Sequence, residues 1–137
     1  MRKLFIATYA FAALTLAACG SDSSTAPTSA SMAGTWNLST VNGASLPFVV
    51  QSTNPKIEIL SEQLQVNANG TFTQTAQVRY TQGTTVSTQA IADAGTYTLS
   101  GTAATFVWND GSSGTGTVSG AKFTVGEDGS SFVFTKQ

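Results

Sequence analysis

The chain has 137 residues, 41% of them hydrophobic and only 9% charged, with 13 Gly and 3 Pro; this is material for one domain with a single modest core, and two folded domains are excluded. Six basic residues stand against seven acidic ones and there is no His, so no basic stripe exists to neutralise nucleic-acid phosphates, and the commonest general base and zinc ligand is missing. The single Cys excludes an internal disulfide, while 22 Thr and 16 Ser predict a neutral, hydroxyl-rich surface.

Met1 is followed by Arg2 and Lys3, an apolar run from Leu4 to Leu16 and then small residues, the three-part plan of a secretory signal. A bilayer-spanning helix needs about 20 apolar residues and this run is shorter, so residues 1–18 are expected to be removed. Leu16-Ala17-Ala18-Cys19 resembles the lipobox of bacterial lipoproteins, in which the Cys becomes the first mature residue and is acylated by palmitate-type chains. The alternative is an ordinary signal with an Ala-x-Ala-like end and an incidental Cys. The resemblance implies a lipid anchor at Cys19, membrane lipid as a partner and residence in the bacterial cell envelope, with several acyl chains holding essentially permanently. Gly20, where an acidic residue would retain the protein at the inner membrane, points to the outer membrane.

Residues 21–31 are Ser, Thr, Ala, Pro and one Asp with no large apolar side chain, so nothing offsets the entropy of ordering them, and residues 19–32 are expected to form a tether reaching about 20 Å. Beyond Met32 no helical period is present. Period-two alternation recurs instead, rich in Thr, Val, Phe and Tyr, so the domain from Ala33 to Gln137 is expected to be all-β. The first strand is Thr35 to Val41. Asn42 to Pro55 is irregular, with Leu46-Pro47-Phe48-Val49-Val50 reading either as a short strand or plug completing the core or as a lid. One or two strands follow between Ile57 and Val66, with a bulge expected near Ser61 where the alternation slips phase. Asn67-Ala68-Asn69-Gly70 supplies a tight hairpin into Thr71 to Tyr80, whose Phe72, Gln74, Ala76, Val78 and Tyr80 share one face.

Further strands are expected at Thr85 to Ile91, Thr96 to Ser100, Ala104 to Asn109, Thr115 to Ser119, Lys122 to Val125 and Ser131 to Lys136. Ala92-Asp93-Ala94-Gly95, Ser100-Gly101-Thr102, Asp110 to Gly114, Ser119-Gly120 and Glu127-Asp128-Gly129 read as turns between them. Connections this short permit only antiparallel neighbours. The result is an up-and-down antiparallel β-barrel of roughly eight to ten strands, closed by the last strand against the first because closure removes both edges. An open two-sheet sandwich is the alternative.

Gly34-Thr35-Trp36, followed by Val41-Asn42-Gly43, Leu46-Pro47 and Gly70-Thr71-Phe72, resembles the small bacterial lipocalin-like domains. The resemblance implies that Trp36 closes the base of the barrel, that Lys136 of the last strand stands where the family places a stacked Arg, and that the barrel binds a small hydrophobic molecule.

Catalytic chemistry has few candidates. Glu58, Glu62, Asp93, Asp110, Glu127 and Asp128 lie mostly at turns or strand ends and read as turn formers rather than as a paired acid and base. No Gly-x-Ser-x-Gly elbow exists and, without His, the familiar triads are impossible. Asn109-Asp110-Gly111-Ser112 has too few carboxylates for a calcium loop. No catalytic residue, metal or cofactor is expected, and the chain does not read as an enzyme. Arg79 alternates away from the Phe72 and Tyr80 face and is expected to meet solvent. The aromatic residues Phe48, Phe72, Tyr80, Tyr97, Phe106 and Trp108 are the candidate lining of a site for a small hydrophobic ligand. The competing reading is a filled core in a monomeric, non-enzymatic envelope interaction module that uses its Thr-rich exterior or an exposed strand edge.

Overall fold

Alternation of inward apolar and outward polar residues carries most of the chain after Met32 into strands. The computed structural model describes residues 32–127 and 129–137; the signal segment, Cys19, the tether up to residue 31 and Asp128 lie outside them. Ten antiparallel strands follow in order: β1 (Gly34–Val41), β2 (Ala44–Ser45), β3 (Phe48–Gln51), β4 (Lys56–Val66), β5 (Thr71–Gln82), β6 (Thr85–Ser100), β7 (Ala103–Trp108), β8 (Ser113–Ser119), β9 (Lys122–Glu127) and β10 (Ser130–Lys136). From β4 to β10 each pairs with its sequence neighbours, β10 pairs with β1, and β1 pairs with β4. Eight strands thereby close into a barrel, and β2 and β3 are additions to it.

The closing seam explains the irregular stretch after β1. Gly34 to Asn37 pair with Val66 to Gln63 of β4, but beyond that point β1 and β4 part. Thr40 and Val41 then bond to Ser45 and Ala44 of β2, while Ile57 to Ile59 of β4 bond to β3. The segment around Leu46 and Phe48 thus occupies the opening of the seam as short strands, and both residues pack against the core. The expected bulge in β4 is present as a register shift between Ile59 and Ser61, which lets Ile57 and Ile59 share the inner side with Glu62, Leu64 and Val66.

Two glycines are fixed by what lies across them. Gly34 has φ 135°, and a Cβ there would come within 2.8 Å of Lys136 Cε; the bare backbone lets the lysine stem cross to Trp36, where Nζ stands 5.4 Å from the ring centroid. Gly95 corrects the expectation of a turn at Ala92-Asp93-Ala94-Gly95. These four residues lie inside β6, paired in unbroken register with Thr75 to Phe72. A Cβ on Gly95 would be 2.1 Å from the Val107 carbonyl oxygen and 2.8 Å from the Phe72 ring. Close packing, not chain reversal, is the reason for that glycine.

The core runs the length of the barrel as an aromatic column. Trp36 is fully buried at the lower end, its indole N–H donating to the Met32 carbonyl oxygen at 2.8 Å. Phe123 meets it edge-on at 6.2 Å between centroids, Phe106 lies 5.2 Å from Phe123, and Phe72 lies 5.0 Å from Phe106. Trp108 completes the column at the upper end, 5.7 Å from Phe72.

Candidate functional site

Above Phe106 and Phe123 the barrel is not filled. A cavity of about 210 Å³ opens between β4, β5, β7, β9 and β10, lined by Ile59, Leu64, Phe106, Trp108, Phe123, Val125, Phe132 and Phe134, together with Glu62, Gln74 and Glu127. A second chamber of about 190 Å³ adjoins it through Gln74, Trp108 and Glu127 and reaches Ala76, Ile91, Asp93, Asp110 and Ser112. Both chambers lie toward the upper end, because β7 and β8 stop short of the height that β5 and β6 reach.

The polar residues form an ordered chain. Trp108 Nε1–H donates to Gln74 Oε1 at 2.8 Å, and Gln74 Nε2 donates to Glu62 Oε1 at 2.6 Å. An indole N–H can only donate, so it turns the Gln74 carbonyl toward Trp108 and the amide toward Glu62. Burial, reinforced by the neighbouring charge of Glu127 and opposed by the Gln74 hydrogen bond, pushes the Glu62 carboxyl up to about 7.

Glu58 on the outer side of the same strand behaves in the opposite way. Hydrogen bonds from Arg79 and then Lys56 hold it down at about 2; the ion pairs measure 2.8 and 2.9 Å. Arg79 does face outward, but this carboxylate engages it. Asp110 is held below the usual range by hydrogen bonds from the Ser112 side chain and backbone, as befits a turn residue.

Of the candidate lining residues, Phe106 and Trp108 border the cavity. Phe72 is buried behind them, edge-on to both rings. Tyr97 stacks on Phe106 at 5.9 Å farther down, its hydroxyl donating to the Asn67 carbonyl oxygen. Phe48 packs on the core from the seam, and Tyr80 lies half-buried on upper β5; neither borders the cavity. Gly34, Trp36 and Lys136 come together at the opposite, closed end.

Sequence reasoning passed over Glu62, Gln74 and Glu127 as lining residues, although the signal was present. Glu62 precedes Leu64 and Val66 by period two, and Glu127 follows Phe123 and Val125 by the same period. Each carboxylate is thus the next inward position of a strand whose other inward residues are apolar. Among the described residues no three His, Cys, Asp or Glu side chains converge as metal ligands would. No protein-family model, curated protein or solved structure matches the chain.

Proposed function

We propose that this chain is a lipid-anchored protein of the bacterial envelope whose lipocalin-like barrel binds a small hydrophobic molecule non-covalently beside Trp108. The carrying observation is the 210 Å³ cavity in the upper barrel, bordered by eight apolar side chains. An engineered apolar cavity of about 150 Å³ accepts benzene, whereas drug-sized ligands occupy roughly 300–1,000 Å³. A single ring with a short substituent fits. Burying about 200 Å² of its apolar surface gains about 5 kcal/mol before the cost of association, so contact alone supports modest affinity.

Titration with 2-phenylethanol tests this. Tryptophan emission is expected to shift and the melting temperature to rise, since a ligand that binds only the native state stabilises it by mass action. Trp108→Ala should weaken binding more than Trp36→Ala, because Trp36 lies at the closed end. Unchanged emission and melting temperature with this alcohol and with single-ring probes of the same size and either charge would remove the ligand reading. The anchor has its own test: the wild-type chain should partition into detergent and take up labelled palmitate, and Cys19→Ser should stay aqueous and unlabelled.

One observation favours a second reading, an interaction module. From Thr85 to Asp93, β6 has β5 on one side and, among the described residues, no strand on the other, and all nine residues are exposed. Thr85 to Ala92 carries no charge, Pro or bulge, the usual means of blunting an edge. If an extended partner segment adds there, these amides gain hydrogen-exchange protection in the native envelope relative to the isolated protein; equal exchange in both settings removes this reading.

A further inference from the structure

With Glu62 ionised, the cavity offers a ligand hydrogen-bond acceptors and almost no donors. The Trp108 N–H is engaged by Gln74, the Gln74 amide is directed at Glu62, and the remaining polar lining groups are the carboxylates of Glu62 and Glu127. No Lys or Arg borders either chamber among the described residues. The nearest pair of cations along β4 and β5, Lys56 and Arg79, is engaged by Glu58 on the outer face. Glu62 is 8% exposed, and among the described residues the hydrogen bond it accepts on Oε1 comes from Gln74. The residue lines the cavity together with Gln74.

We infer that the ligand is a small organic ammonium: an apolar body of about one ring carrying a protonated amine that donates to Glu62. This inference rests on the cavity reading above and specifies the ligand's charge. An ammonium supplies the donors the cavity lacks, and the faces of Trp108, Phe106 and Phe132 add cation–π attraction within the same space. A carboxylate ligand such as a fatty acid would bring its negative charge next to the ionised Glu62. Burial that raises the Glu62 carboxyl is relieved when a cation arrives, so binding draws the proton off the acid. The titratable groups facing Glu62 are Glu127 from β9 and, across the adjoining chamber, Asp93 from β6 and Asp110 from the β7–β8 turn. All are acidic, so none of them supplies a cation to Glu62.

Three probes of nearly equal size separate the outcomes: 2-phenylethylamine, 2-phenylethanol and phenylacetate, titrated against the full chain by calorimetry and tryptophan emission. At pH 8 the amine is expected to bind about thirtyfold tighter than the alcohol, the range of a hydrogen bond to a charged group, and phenylacetate weaker than either. Its advantage over the alcohol should grow as pH rises from 5 to 8 and Glu62 ionises. Glu62→Gln, an isosteric change that keeps an acceptor for Gln74, should bring the amine down to the affinity of the alcohol. Equal or tighter binding of the alcohol or of phenylacetate, or an amine preference that survives in Glu62→Gln, overturns the ammonium assignment and leaves the cavity reading standing. Failure of all three probes to bind overturns both.

Discussion

The two ends of this barrel are built from the same alternating pattern and finish differently. At the lower end every strand has a neighbour on each side, the turns are short, and Trp36, Met32 and Val66 leave almost no exposed surface. At the upper end β1 and β4 separate, β5 and β6 extend to 12 and 16 residues while β7 and β9 have only 6 each, and a cavity remains. Strand length, not polarity, decides the difference: short strands cannot cover what long ones expose. The lower half is therefore expected to supply most of the stability, while the upper half holds the cavity.

The largest expected effect falls on the lower end. Trp36→Ala removes a fully buried ring with its hydrogen bond to Met32 and should cost roughly 3–5 kcal/mol, read from denaturant midpoints. A loss below about 1 kcal/mol would mean that the closed end is not the stabilising half. Next comes the acid at the cavity. Glu62 titrates near 7 in the folded chain against about 4.5 in the unfolded one. Between those values the native state holds a proton that the unfolded state has released, so stability falls as pH rises from about 4.5 through 7, by an amount on the order of 3 kcal/mol. Glu62→Gln should flatten that slope and be the more stable protein at pH 8. Glu58 contributes with the opposite sign, its stabilisation present above about 4.5 and lost as pH falls toward 2. The smallest effect belongs to the free edge: Ile91→Thr on upper β6 should change stability by no more than about 0.5 kcal/mol, because Ile91 is 46% exposed and packs into no core.

Much of the fold is legible residue by residue. Asn67 to Gly70 forms the hairpin that its residue types require, with the Gly70 amide donating to Asn67 and the Asn67 amide donating to Thr71. The phase slip at Ser61 marks a real bulge, and Ser130–Lys136 pairs with β1. Ala92 to Gly95 misleads because Asp and Gly have two uses, in turns and beneath aromatic rings, and the sequence does not show that Phe72 will lie across Gly95. The site was legible only in its aromatic part. Phe106 and Trp108 follow from alternation, but placing Glu127 in a turn and weighing Glu62 only as a possible catalytic acid hid the fact that alternation points both inward. Where the cavity sits depends on the relative heights of strands distant in sequence, which no local pattern encodes.

The chain enters its first strand from the closed end. A pull applied at Met32 along β1 would act at right angles to the hydrogen bonds that join β1 to β4 and to β10, as antiparallel ladders dictate. Such a load is shared among many bonds at once instead of opening them one by one. The cavity is at the far end of the barrel from Met32, so under the proposed anchor at Cys19 it would face away from the membrane.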